Sequence, residues 1–318
     1  MTKIKYNTKI IFFIVIFFSL LSCQKKQPQN VVEILVPKTI SSLPILELDG
    51  EIIKGKLIKT VFFQDHIIAM ADFVRNTDKL IFTGFTQGLA HHHNNPEVKI
   101  ACTAVWGVSS LLSHNPDLKS LTDFKGKTIS VPFAGSPLEL QLKAMLRKQD
   151  LIGKVRLRYL PIQQSIPFLL QKKVDGICVP EPVSTKLITE NKAIKVFSFA
   201  DKWGILYQGQ NKSPQVSLFM KNSFYLQNRN FYQNLLNQID KNIADIQKNP
   251  EQTSEKYTEA FNLSKPALTN SIKNTLFALP DYPSALKISQ MYLNQIQYMK
   301  KPDKIFYLEY KNTNRKTM

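Results

Sequence analysis

Residues 127–148 read KTISVPFAGSPLELQLKAMLRK, and the class of fold turns on how this stretch divides. Thr128-Ile129-Ser130-Val131 is short, partly β-branched and alternating, the pattern of a strand. Beyond it the spacing is ambiguous. Leu138, Leu140 and Leu142 alternate as a strand would, whereas Leu138, Leu142, Met145 and Leu146 fall at helical intervals. The junction favours helix: Ser136 can act as N-cap, Pro137 suits the first helical position, and Glu139 can reach back as the third residue of a capping box. Gly135 can take a positive φ and allows close approach of a ligand or backbone. The stretch is therefore read as strand, tight turn and capped helix. Amide donors left open at such a helix start attract polar or negative groups; the alternative is a purely structural cap.

The N-terminus points to export. Lys3, Lys5 and Lys9 precede a continuously apolar run from Ile10 to Phe18, followed by Leu20-Leu21-Ser22-Cys23. A basic start, a short apolar core and a small residue directly before cysteine make a lipoprotein signal peptide. The run is shorter than the ~20 residues of a membrane span. The expected product begins at Cys23, lipidated on its thiol, and a polar stretch over 23–31 serves as tether.

The 318-residue chain has 42 Lys and Arg against 24 Asp and Glu, a formal charge of +18. Loss of Lys3, Lys5 and Lys9 would leave +15. Nucleic acid is a poor partner for an exported lipoprotein, and the lysines are scattered, so the charge says little about the ligand. Cys102 and Cys178 sit in apolar strand-like runs without metal-type spacing and are read as buried small hydrophobes. Beyond the leader, the chain exceeds the usual size of one compact domain, which implies two lobes.

Strands are expected at Val32–Val36, Lys56–Phe62, Lys79–Phe82 and Val98–Val105, with a helix over His66–Phe73. A second set follows at Thr128–Pro132, Val155–Leu160, Val174–Val179 and Ile194–Phe199. Alternating strands and helices imply α/β organisation with parallel sheets. After Asn222 the pattern is helical, including Phe231–Gln247 and Ala285–Tyr298, with no clear strand.

No GxSxG, Walker A, GxGxxG or HExxH motif occurs. His91-His92-His93 suits a solvated helix end better than a metal site, because adjacent side chains cannot all face one ion. Glu181-Pro182 forms another strand-to-helix junction, where the carboxylate either opposes the helix dipole or accepts hydrogen bonds in a cleft. Phe62, Phe63, Phe85, Trp106 and Phe133 lie at strand ends, and at least two of them are candidate pocket walls. Arginine is scarce and absent from these loops, which argues against a bidentate clamp on a carboxylate.

KTISVPFAGSPLELQLKAMLRK, KVDGICVPEPVSTKLI (173–188) and SPQVSLFMKNSF (213–224) together resemble the periplasmic substrate-binding proteins of ABC importers. The group is the one handling nitrate, sulfonates, taurine and thiamine precursors. LIFTGFTQGLA (80–90) and VWGVSSLLSHNPDLKSLTDFKGK (105–127) fit the same group, and the resemblance covers roughly residues 32–230. It implies the type II bilobal fold, an α/β architecture in which each lobe is a mainly parallel sheet flanked by helices, with a helical C-terminal region. Beyond the signal peptide at 1–22 and the tether at 23–31, it implies lobe I from 32–113 plus 215–318, and lobe II from 114–214. The crossings would be Val108–His114 outward and Gln215–Met220 on return.

Ligand contacts carried over by the resemblance are Ser41, Ser42, Thr83, Gly84 and Trp106 from lobe I, and Gly135, Ser136 and Glu181 from lobe II. The segment Pro37–Glu51 lacks the group's usual glycine-rich helix. The implied function is capture of a small solute by a monomeric, lipid-anchored envelope protein that delivers it to a permease and ATPase complex. No cofactor, metal, nucleic acid or catalysis is expected. Alternatives are an enzyme on the same scaffold and a surface lipoprotein that binds macromolecules.

Overall fold

A computed structural model describes residues 30–208, 212–298 and 306–310. The expected signal peptide, Cys23 and most of the tether lie outside the described residues. The chain begins with β1 (Asn30–Pro37), a 3-10 turn (Ile40–Ser42), α1 (Leu43–Leu46), β2 (Ile52–Ile53), β3 (Lys56–Phe63), α2 (His66–Arg75), β4 (Leu80–Gly84), α3 (Phe85–Asn94) and β5 (Val98–Gly107). It continues with β6 (Ser109–Ser113), β7 (Thr128–Val131), α4 (Pro137–Lys148), β8 (Arg156–Tyr159), α5 (Ile162–Leu170), β9 (Gly176–Pro180), α6 (Val183–Thr189), β10 (Ile194–Ser198) and α7 (Phe199–Leu206). The last part holds β11 (Val216–Lys221), α8 (Asn222–Gln227), α9 (Arg229–Lys248), α10 (Pro250–Phe261), α11 (Lys265–Lys273), β12 (Leu276–Phe277) and α12 (Tyr282–Gln295).

The strands form two sheets, ordered β12-β5-β11-β4-β1-β3-β2 and β10-β6-β9-β7-β8. In the first, β1 pairs in parallel with β3 and β4, and β11 inserts antiparallel between β4 and β5. In the second, β7 pairs in parallel with β8 and β9, and β6 inserts antiparallel between β9 and β10. Apart from these two insertions and the short edge strands β2 and β12, strands in each sheet run the same way.

Period-two alternation explains the layering. Val32, Ile34 and Val36 of β1 face one apolar cluster with Leu235, Ile239 and Ile243 of α9, while Leu35 faces another. Likewise Ile177 and Val179 of β9 pack into a third cluster, and Cys178 into the second. Sheets covered on both faces read as continuous apolar runs, which is why these strands are easy to find but hard to orient from sequence. The second cluster is shared by both sheets: it holds Ile81 and Phe219 of the first, Ile129 and Val131 of the second, and Trp106, Trp203 and Tyr292.

Two expectations are corrected here. β1 starts at Asn30, so the last two residues assigned to the tether belong to a strand. The outward crossing is Val108 alone: Ser109–Ser113, read as part of the connection, is a strand of the second sheet paired with β9 and β10. The return segment is likewise a strand, β11, once the chain has re-entered the first sheet at Gln215, whose N–H bonds to Val105 O at 2.9 Å.

Candidate functional site

Parallel α/β sheets place ligands beyond the carboxyl ends of their strands. Five such ends converge on a cleft of about 300 Å³ between the sheets. From the first sheet come Pro37 of β1, Phe63 of β3, and Thr83 and Gly84 of β4. Thr39, Ser41, His66 and Gln87 extend that wall. The opposite wall is Pro132 and Phe133 after β7, Pro180 and Glu181 at the end of β9, and residues 136–138 at the start of α4. Val108, Ser109, Gln215 and Val216 border it where the chain passes between the sheets. Another hollow, of about 620 Å³, opens among Tyr225, Tyr232, Tyr282 and Tyr310, away from these strand ends.

The sequence-derived contacts divide. Ser41, Thr83, Gly84, Ser136 and Glu181 border the cleft. Ser42 does not; it is buried, and its hydroxyl donates to Pro37 O at 2.6 Å, closing the turn after β1. Trp106 does not either. Its indole is fully buried, and Nε1 donates to Thr103 O at 3.2 Å and Ala278 O at 3.0 Å. Of the strand-end aromatics, Phe63 and Phe133 border the cleft, Phe85 is core, and Phe62 points to solvent.

Gly135 lies beside the cleft wall, in an exposed turn with φ +79°. Ser136 caps Glu139 N at 3.2 Å as the sequence suggests, but the Glu139 carboxylate accepts from Gly135 N at 3.1 Å, one residue before the cap. These amide donors are therefore satisfied within the chain. A Cβ on Gly135 would meet nothing within 4 Å. Gly135→Val is accordingly expected to cost about 1–2 kcal/mol through the left-handed backbone alone and to leave solute affinity unchanged; denaturant melts beside a binding titration check both.

Two titratable groups border the cleft. His66 Nδ1 lies 3.1 Å from the Thr83 hydroxyl. Burial, aided by the like charge of His91, lowers its pKa below 6.5, although Asp65 pulls the other way. Glu181 is buried; Oε2 accepts from Thr185 N at 3.1 Å, while Oε1 has no partner. Burial raises its pKa above 4.5, against hydrogen bonds from Thr185 that lower it. A raised folded-state pKa favours the native state below the unfolded pKa and loses that contribution as pH rises through the folded one. Glu181→Gln should therefore melt higher than the parent at pH 7, with the difference vanishing near pH 4; an equal gain at both would contradict this.

Beneath the cleft, Gln141 of α4 bonds to the return segment: Nε2 donates to Ser213 Oγ at 2.8 Å, and its Oε1 accepts from Gln215 Nε2 at 3.1 Å. The two cysteines among the described residues, Cys102 and Cys178, are free, buried and outside the cleft lining, and burial pushes Cys102 up to about 12 and Cys178 higher still. The histidine triplet is not wholly solvated as the sequence suggested: His92 is buried with Nδ1 2.6 Å from Val98 O. Among the described residues no group of three His, Cys, Asp or Glu could hold a metal.

His66, Gln87, Ser109 and Gln215 were not identified from the sequence. His66 had a usable signal. It directly follows Asp65, which caps α2 through Ile67 N and Ile68 N at 2.8 and 3.0 Å, so it stands at the same kind of strand-to-helix junction as Gly135 and Glu181.

The NMT1-like family profile matches residues 89–255, more than half of the chain, from α3 through both passages between the sheets into α10. The chain belongs to the NMT1-like family. No curated protein matches this NMT1-like chain in sequence. Among solved structures, it is similar to the ligand-binding component of an ABC-type import system from Staphylococcus aureus, solved with zinc bound (TM-score 0.71, 14% identity, 88% of this chain and 97% of that one). It is also similar to the periplasmic aliphatic sulphonate-binding protein of Escherichia coli (0.69, 14%, 91% and 95%) and the periplasmic nitrate-binding protein of Synechocystis (0.63, 11%, 87% and 83%). These likenesses span nearly the whole chain and show that the NMT1-like protein has their bilobal fold.

Proposed function

We propose that this protein is the substrate-binding component of an ABC importer, held at the cell envelope by lipid on Cys23. It captures a small solute between its lobes and presents it to a membrane permease. The observation that carries this reading is the convergence of five strand ends from two separate sheets on one cleft. Its support is the fold shared with proteins whose names describe that role. Lobe II would be the segment 114–214 extended back to Ser109, because β6 pairs within the second sheet. Lobe I would be the remainder of the folded body. Catalysis is the weaker reading: among the described residues neither Cys102 nor Cys178 borders the cleft, and burial holds both protonated.

A thermal-shift screen of the purified protein tests the proposal. Saturable stabilisation by a small solute, with the solute recovered unchanged, supports it. Turnover of the stabilising compound would replace it with the enzyme reading.

A further inference from the structure

Resting on the solute-binding reading, we infer that the cleft selects an uncharged small molecule with an apolar body and rejects oxyanions such as sulfonates and nitrate. Three features of the site point the same way.

The first is its charge. The chain has 42 Lys and Arg, yet none stands among the described residues lining the cleft. Its one acidic side chain is Glu181, and one oxygen of that carboxyl group is buried without a partner. A bound anion would share a poorly solvated space with that carboxyl group and meet no lysine or arginine in the cleft lining.

The second is the state of the helix starts. Without cations, an oxyanion would need the open amides and positive dipole ends of helices that begin at strand ends. Here several of those amides are closed from within, although α3 and α6 start without a side-chain cap. Phe85 N at the start of α3 donates to Gln215 O at 2.9 Å. Gly135 N and Glu139 N at α4 are taken by Glu139 and Ser136, and Thr185 N at α6 by Glu181. Pro137 and Pro182 add no donor. Moreover, Asp65 and Glu181 put carboxyl groups at the starts of α2 and α6, where they oppose the field that would draw an anion, while Glu139 at α4 is paired with Lys143.

The third is what remains. Phe63 and Phe133, from opposite walls, offer ring surface, and Val108, Leu138, Ile162 and Val216 add aliphatic surface. Polar groups without formal charge remain: the hydroxyls of Ser41 and Ser109 and the carboxamide of Gln87. Such groups fix the orientation of a neutral polar substituent while the apolar surface holds its body.

Matched pairs test the inference, each pair sharing one skeleton: benzenesulfonamide with benzenesulfonate, benzamide with benzoate, and further aryl and alkyl amides with their acids, with nitrate and methanesulfonate added to the anionic arm. Binding to the full protein is measured by thermal shift and calorimetry at pH 7.5. The best ligands should come from the uncharged arm and bind tighter than their anionic counterparts by on the order of tenfold or more. Anions binding as tightly as, or tighter than, their neutral partners would overturn the inference while leaving the solute-binding reading intact. No binding in either arm would count against that reading and take the inference with it.

Discussion

Trp106→Ala should cost about 3–5 kcal/mol of folding stability, the range for removing a large aromatic from a packed core. The indole is fully buried in the cluster shared by both sheets, and truncation leaves a cavity where the first sheet passes to the second. It also removes the Nε1 donor from Thr103 O and Ala278 O, and a buried acceptor left without its partner adds to the loss. The same burial means that the Trp106 indole does not touch a solute in the cleft. Guanidinium unfolding measures the stability change. A loss below about 1 kcal/mol would show that the indole is less tightly packed than its surroundings indicate.

Ser109→Trp should block the cleft. Ser109 borders it at the start of β6, directly after the single-residue crossing, and its side chain has little exposed surface. An indole added there has to occupy a space of about 300 Å³. Overpacking of this kind typically costs about 1–3 kcal/mol, and a solute that must displace the ring loses affinity on the order of 100-fold. Because the added bulk enters an existing cleft, the fold should stay cooperative. Retention of parental affinity by a well-folded Ser109→Trp protein would place the solute elsewhere.

Much of the fold was legible in the sequence, because strands covered on both faces leave apolar runs that capped helices interrupt. Thr128–Val131 followed by the Ser136 cap is the clearest case, and the structure places β7 and α4 at those positions. The same double burial hid which way side chains point. β5 is buried along nearly all of its length, so alternation could not assign Trp106 to core or cleft. Ser109–Ser113 was misread because its hydroxyls look like a connection. In the structure they are buried within a sheet, and Ser113 Oγ donates to Asp175 O at 2.7 Å.

The site was legible only where a local junction announced it. Thr83, Gly84, Ser136 and Glu181 stand at strand-to-helix turns, and all border the cleft. Ser109 and Gln215 reach it because the chain passes between two sheets there, a tertiary relation that no local pattern encodes. Gly135 shows the limit of the junction rule: its positive φ was correctly suggested, but the neighbouring Glu139 carboxylate consumes the donor it offered.

The most direct test of the central claim is a crystal structure of the protein with the solute that stabilises it most. The account predicts density between Phe63 and Phe133, close to Ser109 and Gln215. A solute seated instead among Tyr225, Tyr282 and Tyr310, with the space between the sheets empty, would contradict it.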